Sequence, residues 1–186
     1  MSKKLTVSKM VFIAMLAALV CVVTFFRFPL FGSKVHFANA MCLLSGLLMG
    51  PAAGGFAAGL GSALYDALYG GYNIIECLIT FVSKFLMAYV CAKIAFFGGR
   101  KAEKHGWNVA ACIIGALTYV ALYMLKTFVF QRFVYGYPAD TVLVTMGSKL
   151  PASLINAVAA MIAAPILYTA VKTALARTGL LAKIRA

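Results

Sequence analysis

Residues 50–84 read GPAAGGFAAGLGSALYDALYGGYNIIECLITFVSK, an almost unbroken run of apolar and small side chains that nevertheless contains three charges. Isolated charges continue in apolar stretches towards the C-terminus. The charged residues in such stretches are Asp66, Glu76, Lys84, Lys126 and Lys149. A charge at the centre of a membrane helix costs about 2.5 to 3.5 kcal/mol, so five unpaired ones would cost roughly 12 to 17 kcal/mol. They must therefore pair with one another, reach water or bind a ligand.

Composition places the whole chain among membrane proteins. Of 186 residues, 64% are hydrophobic and 11% are charged, and the mean hydropathy is +0.97. A spanning helix needs about 20 predominantly apolar residues. We therefore predict an all-α polytopic membrane protein, with a single transmembrane domain over residues 1–186. Its six predicted helices span residues 7–26, 38–49, 51–69, 74–97, 109–132 and 142–175.

Basic residues cluster before the first predicted helix, between the fourth and fifth, and after the sixth. They are Lys3, Lys4, Lys9, Arg100, Lys101, Lys104, Lys172, Arg177, Lys183 and Arg185. With six spans these clusters share one side of the membrane, and the positive-inside rule places that side, with both termini, in the cytoplasm. Topology and contact with anionic lipid thereby account for most of the net charge of +13, and no nucleic-acid partner is expected.

Small residues and prolines predict how the helices pack. Gly46, Gly50 and Gly54 recur at a spacing of four, as do Gly55, Gly59 and Ala63. Such faces let helix backbones approach closely in lipid, so we expect the third helix to pack tightly on its neighbours. Pro151 and Pro165 lie within the last predicted helix and are expected to bend or interrupt it.

Helical spacing gathers the polar residues into four stripes. The stripes are Ser62, Asp66 and Tyr69; Asn73, Cys77, Thr80 and Lys84, with Glu76 alongside; Tyr119, Tyr123 and Lys126; and Lys149, Ser153 and Asn156. In the predicted topology they reach a similar depth in the outer half of the membrane. This convergence favours one pocket that opens outward over scattered structural ion pairs.

The pocket hypothesis assigns roles to these side chains. Asp66 and Lys84 are expected to form a structural ion pair. The candidate ligand contacts are Asn39, Glu76, Thr80, Lys84, Tyr123, Lys126, Lys149, Ser153 and Asn156. Their net positive charge suits a neutral or anionic polar ligand with an aromatic part.

The predicted outer loops, at about residues 27–37, 69–73 and 133–141, are rich in aromatic side chains. These include Phe28, Phe31, Phe37, Tyr69, Tyr72, Phe133, Tyr135 and Tyr137. Two interpretations stay open at this point: an aromatic belt at the membrane interface, or a lid over a ligand.

The common motifs of catalysis and cofactor binding are absent from the sequence. It contains no G-x-x-x-x-G-K-[ST], no G-x-G-x-x-G, no H-E-x-x-H and no G-x-S-x-G. His36 and His105 fall on opposite sides in the predicted topology, and the five cysteines include no C-x-x-C pair, so neither a metal site nor a covalently bound cofactor is expected. Lys149 and Ser153, read as the dyad of an intramembrane enzyme, lack a helper base. We predict that the chain is not an enzyme and cannot hydrolyse ATP by itself.

Four sequence elements follow one another within residues 35–84. They are the Gly50-Pro51 turn, the G-S-A-L-x-D element from Gly61 to Asp66, the pair Gly70-Gly71, and the T-x-x-x-K element from Thr80 to Lys84. In this order, and in length and topology, the chain resembles the substrate-binding S components of energy-coupling factor (ECF) vitamin importers. The resemblance implies a multi-pass S-component-like bundle in the cytoplasmic membrane of a prokaryote, with a vitamin site beneath the outer loops.

The resemblance also implies partners. Ala14-x-x-x-Ala18 is similar to the small-residue face by which S components dock on a transmembrane T subunit, and two ATPase subunits would drive transport. The element LPASLINAV, residues 150–158, resembles the corresponding region of flavin-, pyrimidine- and pyridoxine-type members but lacks a lysine shortly after Asn156. We expect capture of a pyridoxine- or pyrimidine-type vitamin or precursor, or of riboflavin. The alternative is a stand-alone proton-coupled carrier with Asp66 or Glu76 as its proton site.

Overall fold

The computed structural model describes residues 6–30 and 33–185. Lys3, Lys4 and Phe31 lie outside this part of the chain, as do the side chains of Lys183 and Arg185. The helices are α1 (Val7–Phe25), α2 (Ala38–Met49), α3 (Pro51–Tyr65), α4 (Ile74–Phe96), α5 (His105–Val129), α6 (Ala139–Arg177) and α7 (Leu180–Arg185). Short π-helical turns extend α3 over Asp66–Gly70 and α5 over Phe130–Val134, and a 3₁₀ turn, Phe97–Gly99, follows α4.

Local sequence sets two of the helix starts. Gly50 has φ +81°, which only glycine adopts at little cost, and this lets α2 turn directly into α3. Pro51 then occupies the first helical position, where its missing N–H costs nothing. At the start of α4, the side chain of Asn73 accepts a hydrogen bond from the backbone N–H of Glu76 at 2.9 Å. The cap fixes Glu76 in the first turn of α4.

Four helical segments of the described residues are long and apolar enough to cross a membrane. They are Val7–Phe25, Ile74–Gly99, His105–Val134 and Ala139–Arg177. The 12 residues of α2 and the 15 of α3 give lengths of only about 18 and 22 Å, against a hydrocarbon core of roughly 30 Å. Eleven residues of α2 are nevertheless buried, because α1, α3, α4 and α6 surround it. Helix α2 is thus shorter than a full span, and α3 comes near that length only with its π-helical extension, so the count of six spans stays a prediction.

Glycines bring the helix backbones into direct contact, as the spacing predicts. An added Cβ on Gly54 would lie 2.3 Å from the carbonyl oxygen of Ser45, and one on Gly46 would lie 2.5 Å from that of Ala88. On Gly61 it would lie 2.2 Å from the carbonyl oxygen of Ala17. Helix α3 therefore packs backbone to backbone on both α1 and α2.

Helix α6 runs unbroken through both of its prolines, so they do not interrupt it, and the predicted alternative, that they bend it, stays a prediction. An interrupted helix would leave several peptide groups unpaired in lipid, which costs more than the bond each proline removes. One turn further along the helix, the Thr169 hydroxyl donates a hydrogen bond to the Pro165 carbonyl at 2.9 Å.

The predicted loop between α1 and α2 forms an antiparallel hairpin of β1 (Arg27–Leu30) and β2 (Ser33–His36). Arg27 pairs with His36 and Phe28 with Val35. Strand β2 packs on α6, which places the hairpin over one end of the bundle. We call this the hairpin end. An all-α description therefore omits one small sheet.

Candidate functional site

A cavity of about 380 Å³ lies at the hairpin end, enclosed by α1, the hairpin, α3, α4, α5 and α6. It is lined by seven of the nine residues predicted to contact a ligand: Thr80, Lys84, Tyr123, Lys126, Lys149, Ser153 and Asn156. Asn39 and Glu76 do not line it but contact lysines that do. Four polar stripes from separate helices therefore meet around one space.

A second and larger cavity, of about 630 Å³, opens at the other end between the start of α5 and the end of α6. It contains none of the predicted ligand contacts. Its principal charges, Lys172 and Glu103, are joined in an ion pair across its wall. Volume favours this cavity, but the cavity at the hairpin end has the converging polar groups and the aromatic walls that a ligand site needs.

Lys84 lies at the floor of the hairpin-end cavity and is only 3% exposed. Its ammonium donates a hydrogen bond to the side-chain oxygen of Asn39 and lies 3.6 Å from the centroid of the Tyr119 ring. No ion pair joins Asp66 to Lys84 among the described residues. The predicted Asp66–Lys84 ion pair is therefore wrong: a neutral amide and an aromatic face stabilise the buried ammonium, and the Asp66 charge acts on it only through space.

Helix α5 supplies an aromatic wall and a second lysine. The Tyr119 and Tyr123 rings stack with centroids 6.1 Å apart, and the Tyr123 hydroxyl lies 3.2 Å from that of Ser33 in the hairpin. Nζ of Lys126 lies 3.8 Å from Oε1 of Glu76. Glu76 thus offsets part of the Lys126 charge from outside the cavity, and Lys126 is the member of the pair that lines it.

Both side-chain atoms of Asn156 bind the hairpin. Its oxygen accepts a hydrogen bond from the backbone N–H of His36, and its nitrogen donates to the carbonyl of Lys34, both at 2.8 Å. Asn156 was predicted to bind a ligand, but here its amide holds β2 on α6. Sequence spacing could not reveal this, because the partner is backbone 120 residues away.

Lys149 and Ser153 lie one turn apart on α6 and face the cavity without protein partners. Ser153 is 4% exposed, yet its hydroxyl oxygen has no hydrogen-bond partner among the described residues. Lys149 has no ion pair, hydrogen bond or ring contact within the same part of the chain. Buried polar groups are normally paired, so the Ser153 hydroxyl is an exception, and the partly exposed Lys149 ammonium lies one turn from it.

Four cavity residues in the hairpin were not predicted as site residues, namely Arg27, Ser33, Lys34 and His36. Burial, then the charges of Lys84, Arg27 and Lys34, lowers the pKa of His36 to about 3, so its ring stays neutral. Burial and the nearby Arg27 also lower the pKa of Lys34. The sequence did contain a signal for this part of the site. Two basic residues, Arg27 and Lys34, occur in a loop that was predicted to lie on the outer side, where the positive-inside rule disfavours basic residues.

The two interpretations of the aromatic loops, a belt at the membrane interface and a lid over a ligand, each fit some residues. Phe28 and Phe37 are exposed, as in an interfacial belt, whereas Tyr72 lines the cavity.

Ala14 and Ala18, predicted to dock a partner, are exposed along α1. Four of the five cysteines are buried and all are free, and no cluster of metal-ligating residues occurs in the described residues.

A helical membrane bundle that encloses a polar, aromatic-walled cavity belongs to the class of membrane-embedded ligand-binding proteins. The chain belongs to the family described as "ECF-type riboflavin transporter, S component", whose sequence model matches residues 4–173. The predicted resemblance is thereby confirmed, and the chain is a vitamin-binding membrane subunit of an ECF transporter.

A solved structure supports the fold. It is described as "Structure and mechanism of the S component of a bacterial ECF transporter" and aligns with a TM-score of 0.65 at 18% identity. The alignment covers 90% of this chain and 96% of that one. No curated protein matches the sequence.

Proposed function

We propose that the chain captures one small heteroaromatic vitamin or vitamin precursor from outside the cell and delivers it inward when coupled to a T subunit and two ATPase subunits. The observation that carries the proposal is the hairpin-end cavity, where Lys149 and Ser153 lack protein partners beside the stacked Tyr119 and Tyr123. An aromatic ring would pack on the tyrosine wall, while its polar substituents would bind the hydroxyl and ammonium groups.

Riboflavin is the first candidate substrate, because the family carries its name. A smaller pyridoxine- or pyrimidine-type compound is the second. Two observations favour it: Val158 and Ala159 stand where flavin-type members have a lysine, and a cavity of about 380 Å³ is near the lower end of the roughly 300 to 1,000 Å³ usual for ligand sites.

The proposed orientation places the hairpin end outside and both termini in the cytoplasm of a prokaryote. The basic residues at the other end support it, because Arg100, Lys104 and Arg177 gather there between and after the helices. Delivery without an ATPase partner, abolished by an uncoupler, would instead support the proton-coupled carrier.

Purified protein in detergent tests the proposal directly. The small molecule released on denaturation is identified by absorbance and mass, and riboflavin, pyridoxine and hydroxymethylpyrimidine are then titrated into ligand-free protein. Lys126→Ala and Lys149→Ala should each weaken binding at least about tenfold, which corresponds to about 1.4 kcal/mol. Lys93→Ala is the matched control, since Lys93 is exposed at the far end of α4. Unchanged affinity in both cavity variants would remove this site assignment.

A further inference from the structure

Positive side chains outnumber negative ones around the hairpin-end cavity. Among the described residues that line it, five are basic, namely Arg27, Lys34, Lys84, Lys126 and Lys149, and Asp66 alone is acidic. His36 adds no charge near neutral pH, because it is buried among these cations. The excess is unusual for the outer side of a membrane protein, which the positive-inside rule depletes of lysine and arginine.

Two of these cations already have partners. Lys126 has Glu76 at 3.8 Å, and Lys84 has the Asn39 oxygen and the Tyr119 ring. The other three, Arg27, Lys34 and Lys149, have no carboxylate within ion-pairing distance in the described part of the chain.

The three uncompensated cations come from two elements that pack on each other, the hairpin and α6. Arg27 and Lys34 lie in the hairpin, with only ring contacts to Tyr65 at 5.1 Å and to Tyr72 at 5.8 Å. Lys149 projects from α6, one turn before the unpartnered Ser153 hydroxyl. Like charges gathered around one cavity repel one another, and a bound anion would replace that repulsion with attraction.

We propose that the cavity binds its ligand through an anionic oxyacid group, a phosphate or a carboxylate, held between Lys149 with Ser153 on α6 and Arg27 with Lys34 in the hairpin. This inference rests on the proposed function and narrows its substrate class to heteroaromatic vitamins in an acid-bearing form. Charge-assisted hydrogen bonds to an oxyacid are about twice as strong as neutral ones, and the Ser153 hydroxyl supplies a further donor. The ring would then lie towards Tyr119 and Tyr123.

Paired ligands that differ by one acid group test the inference on ligand-free, full-length protein. The pairs are riboflavin and riboflavin 5′-phosphate, pyridoxine and pyridoxine 5′-phosphate, and nicotinamide and nicotinate. The acid-bearing member of the accommodated pair should bind at least about tenfold more tightly, and this preference should shrink at high salt. The phosphate and carboxylate pairs show which oxyacid the cavity accepts.

Variants assign the preference to the cations. Lys149→Gln should reduce the ratio of the two affinities to near one, whereas Lys149→Arg, which keeps the charge, should retain most of it. Ser153→Ala should lower the ratio less. Lys93→Gln, at the opposite end of α4, is the control and should leave it unchanged.

The outcomes separate this inference from the proposed function. A neutral member that binds as tightly as its acid-bearing partner, or a preference that survives Lys149→Gln, would overturn the inference and leave vitamin capture standing. Failure of every tested member to bind a monodisperse, folded preparation, with no ligand released on denaturation, would contradict the proposed function itself.

Discussion

Lys84 shows how an amine can be accommodated inside an apolar bundle without a carboxylate partner. Its ammonium is buried between the Asn39 amide oxygen and the Tyr119 ring. A carboxylate partner would add attraction but would also carry its own desolvation cost, which a neutral amide largely avoids. Asn39, buried at 1% exposure, therefore acts by positioning Lys84 rather than by touching a ligand.

Removal of the Asn39 oxygen should destabilise the protein through Lys84. Asn39→Leu leaves a buried ammonium without its acceptor, and we expect a loss of about 1.5 to 3 kcal/mol in unfolding free energy. Lys84→Met in the same chain should recover much of that loss, because both polar partners are then gone. Denaturation of the wild type, the two single variants Asn39→Leu and Lys84→Met, and the double variant in one detergent completes the double-mutant cycle. Additive losses would show that the two residues do not interact.

His36 makes the seating of the hairpin dependent on pH. Its pKa is about 3 when the hairpin is seated, because it is buried near Lys84, Arg27 and Lys34, and 6.5 is its ordinary value in water. When the hairpin detaches from the bundle, His36 therefore binds a proton that it does not bind in the packed state. The equilibrium constant for packing of the hairpin should decrease as pH falls below 6.5, by up to about tenfold per pH unit.

Hydrogen exchange of residues 27–36 should report this opening. Protection, corrected for the intrinsic pH dependence of exchange, should be lower at about pH 5.5 than at about pH 7.5. His36→Gln removes the titrating group and should flatten the difference. An unaltered pH dependence in that variant would assign the effect to another titrating group, such as Asp66, which also lines the cavity.

At the scale of elements, glycines decide how closely the helices approach. Gly61 is the tightest case, because a Cβ there would meet the Ala17 carbonyl oxygen at 2.2 Å and the Val20 side chain at 2.8 Å. The two contacted atoms are a backbone oxygen and a Cβ of α1. Neither can move aside as the tip of a flexible side chain could. The contact between α1 and α3 therefore depends on the absence of one methyl group.

Gly61→Ala should separate α1 from α3 and lower stability by about 1 to 3 kcal/mol, the usual cost of an overpacked interior. Gly147→Ala provides the control, since a Cβ on Gly147 meets nothing within 4 Å and alanine favours the helix. Thermal unfolding of both variants in the same detergent measures the difference. Equal stability would show that the α1–α3 contact relaxes freely.

Helical elements were predictable from sequence because long apolar runs form helices in a bilayer, and helical spacing then determines which side chains share a face. The stripes of α4, α5 and α6 predicted Thr80, Tyr123 and Lys149 around a common space for the same reason. The hairpin was not predictable, because two strands of four residues, one of them containing Pro29, carry almost no periodic signal. With the hairpin missing, the roof of the cavity and the true partner of Asn156 were missed as well.

At the scale of the whole molecule, α1 is the least enclosed of the four candidate spans. Only 17% of its apolar window is buried, against 33% for each of the other three. Leu16, Ala17 and Val20 face the core, while Ala14 and Ala18 lie on the exposed side. An exposed small-residue face on a membrane helix permits another helix to approach closely, so α1 is the natural surface for a partner.

Bulky substitutions on that face should separate assembly from binding. Ala14→Trp and Ala18→Trp place large side chains where the T subunit is proposed to dock, and each should sharply reduce co-purification with the T and ATPase subunits. Ligand affinity should stay unchanged, because the hairpin-end cavity contains neither residue. Ala121→Trp is the matched control, since Ala121 is an exposed alanine on α5. Normal recovery of the complex with both α1 variants would move the docking surface elsewhere, and loss of ligand binding in either would mean that α1 supports the cavity rather than the partner.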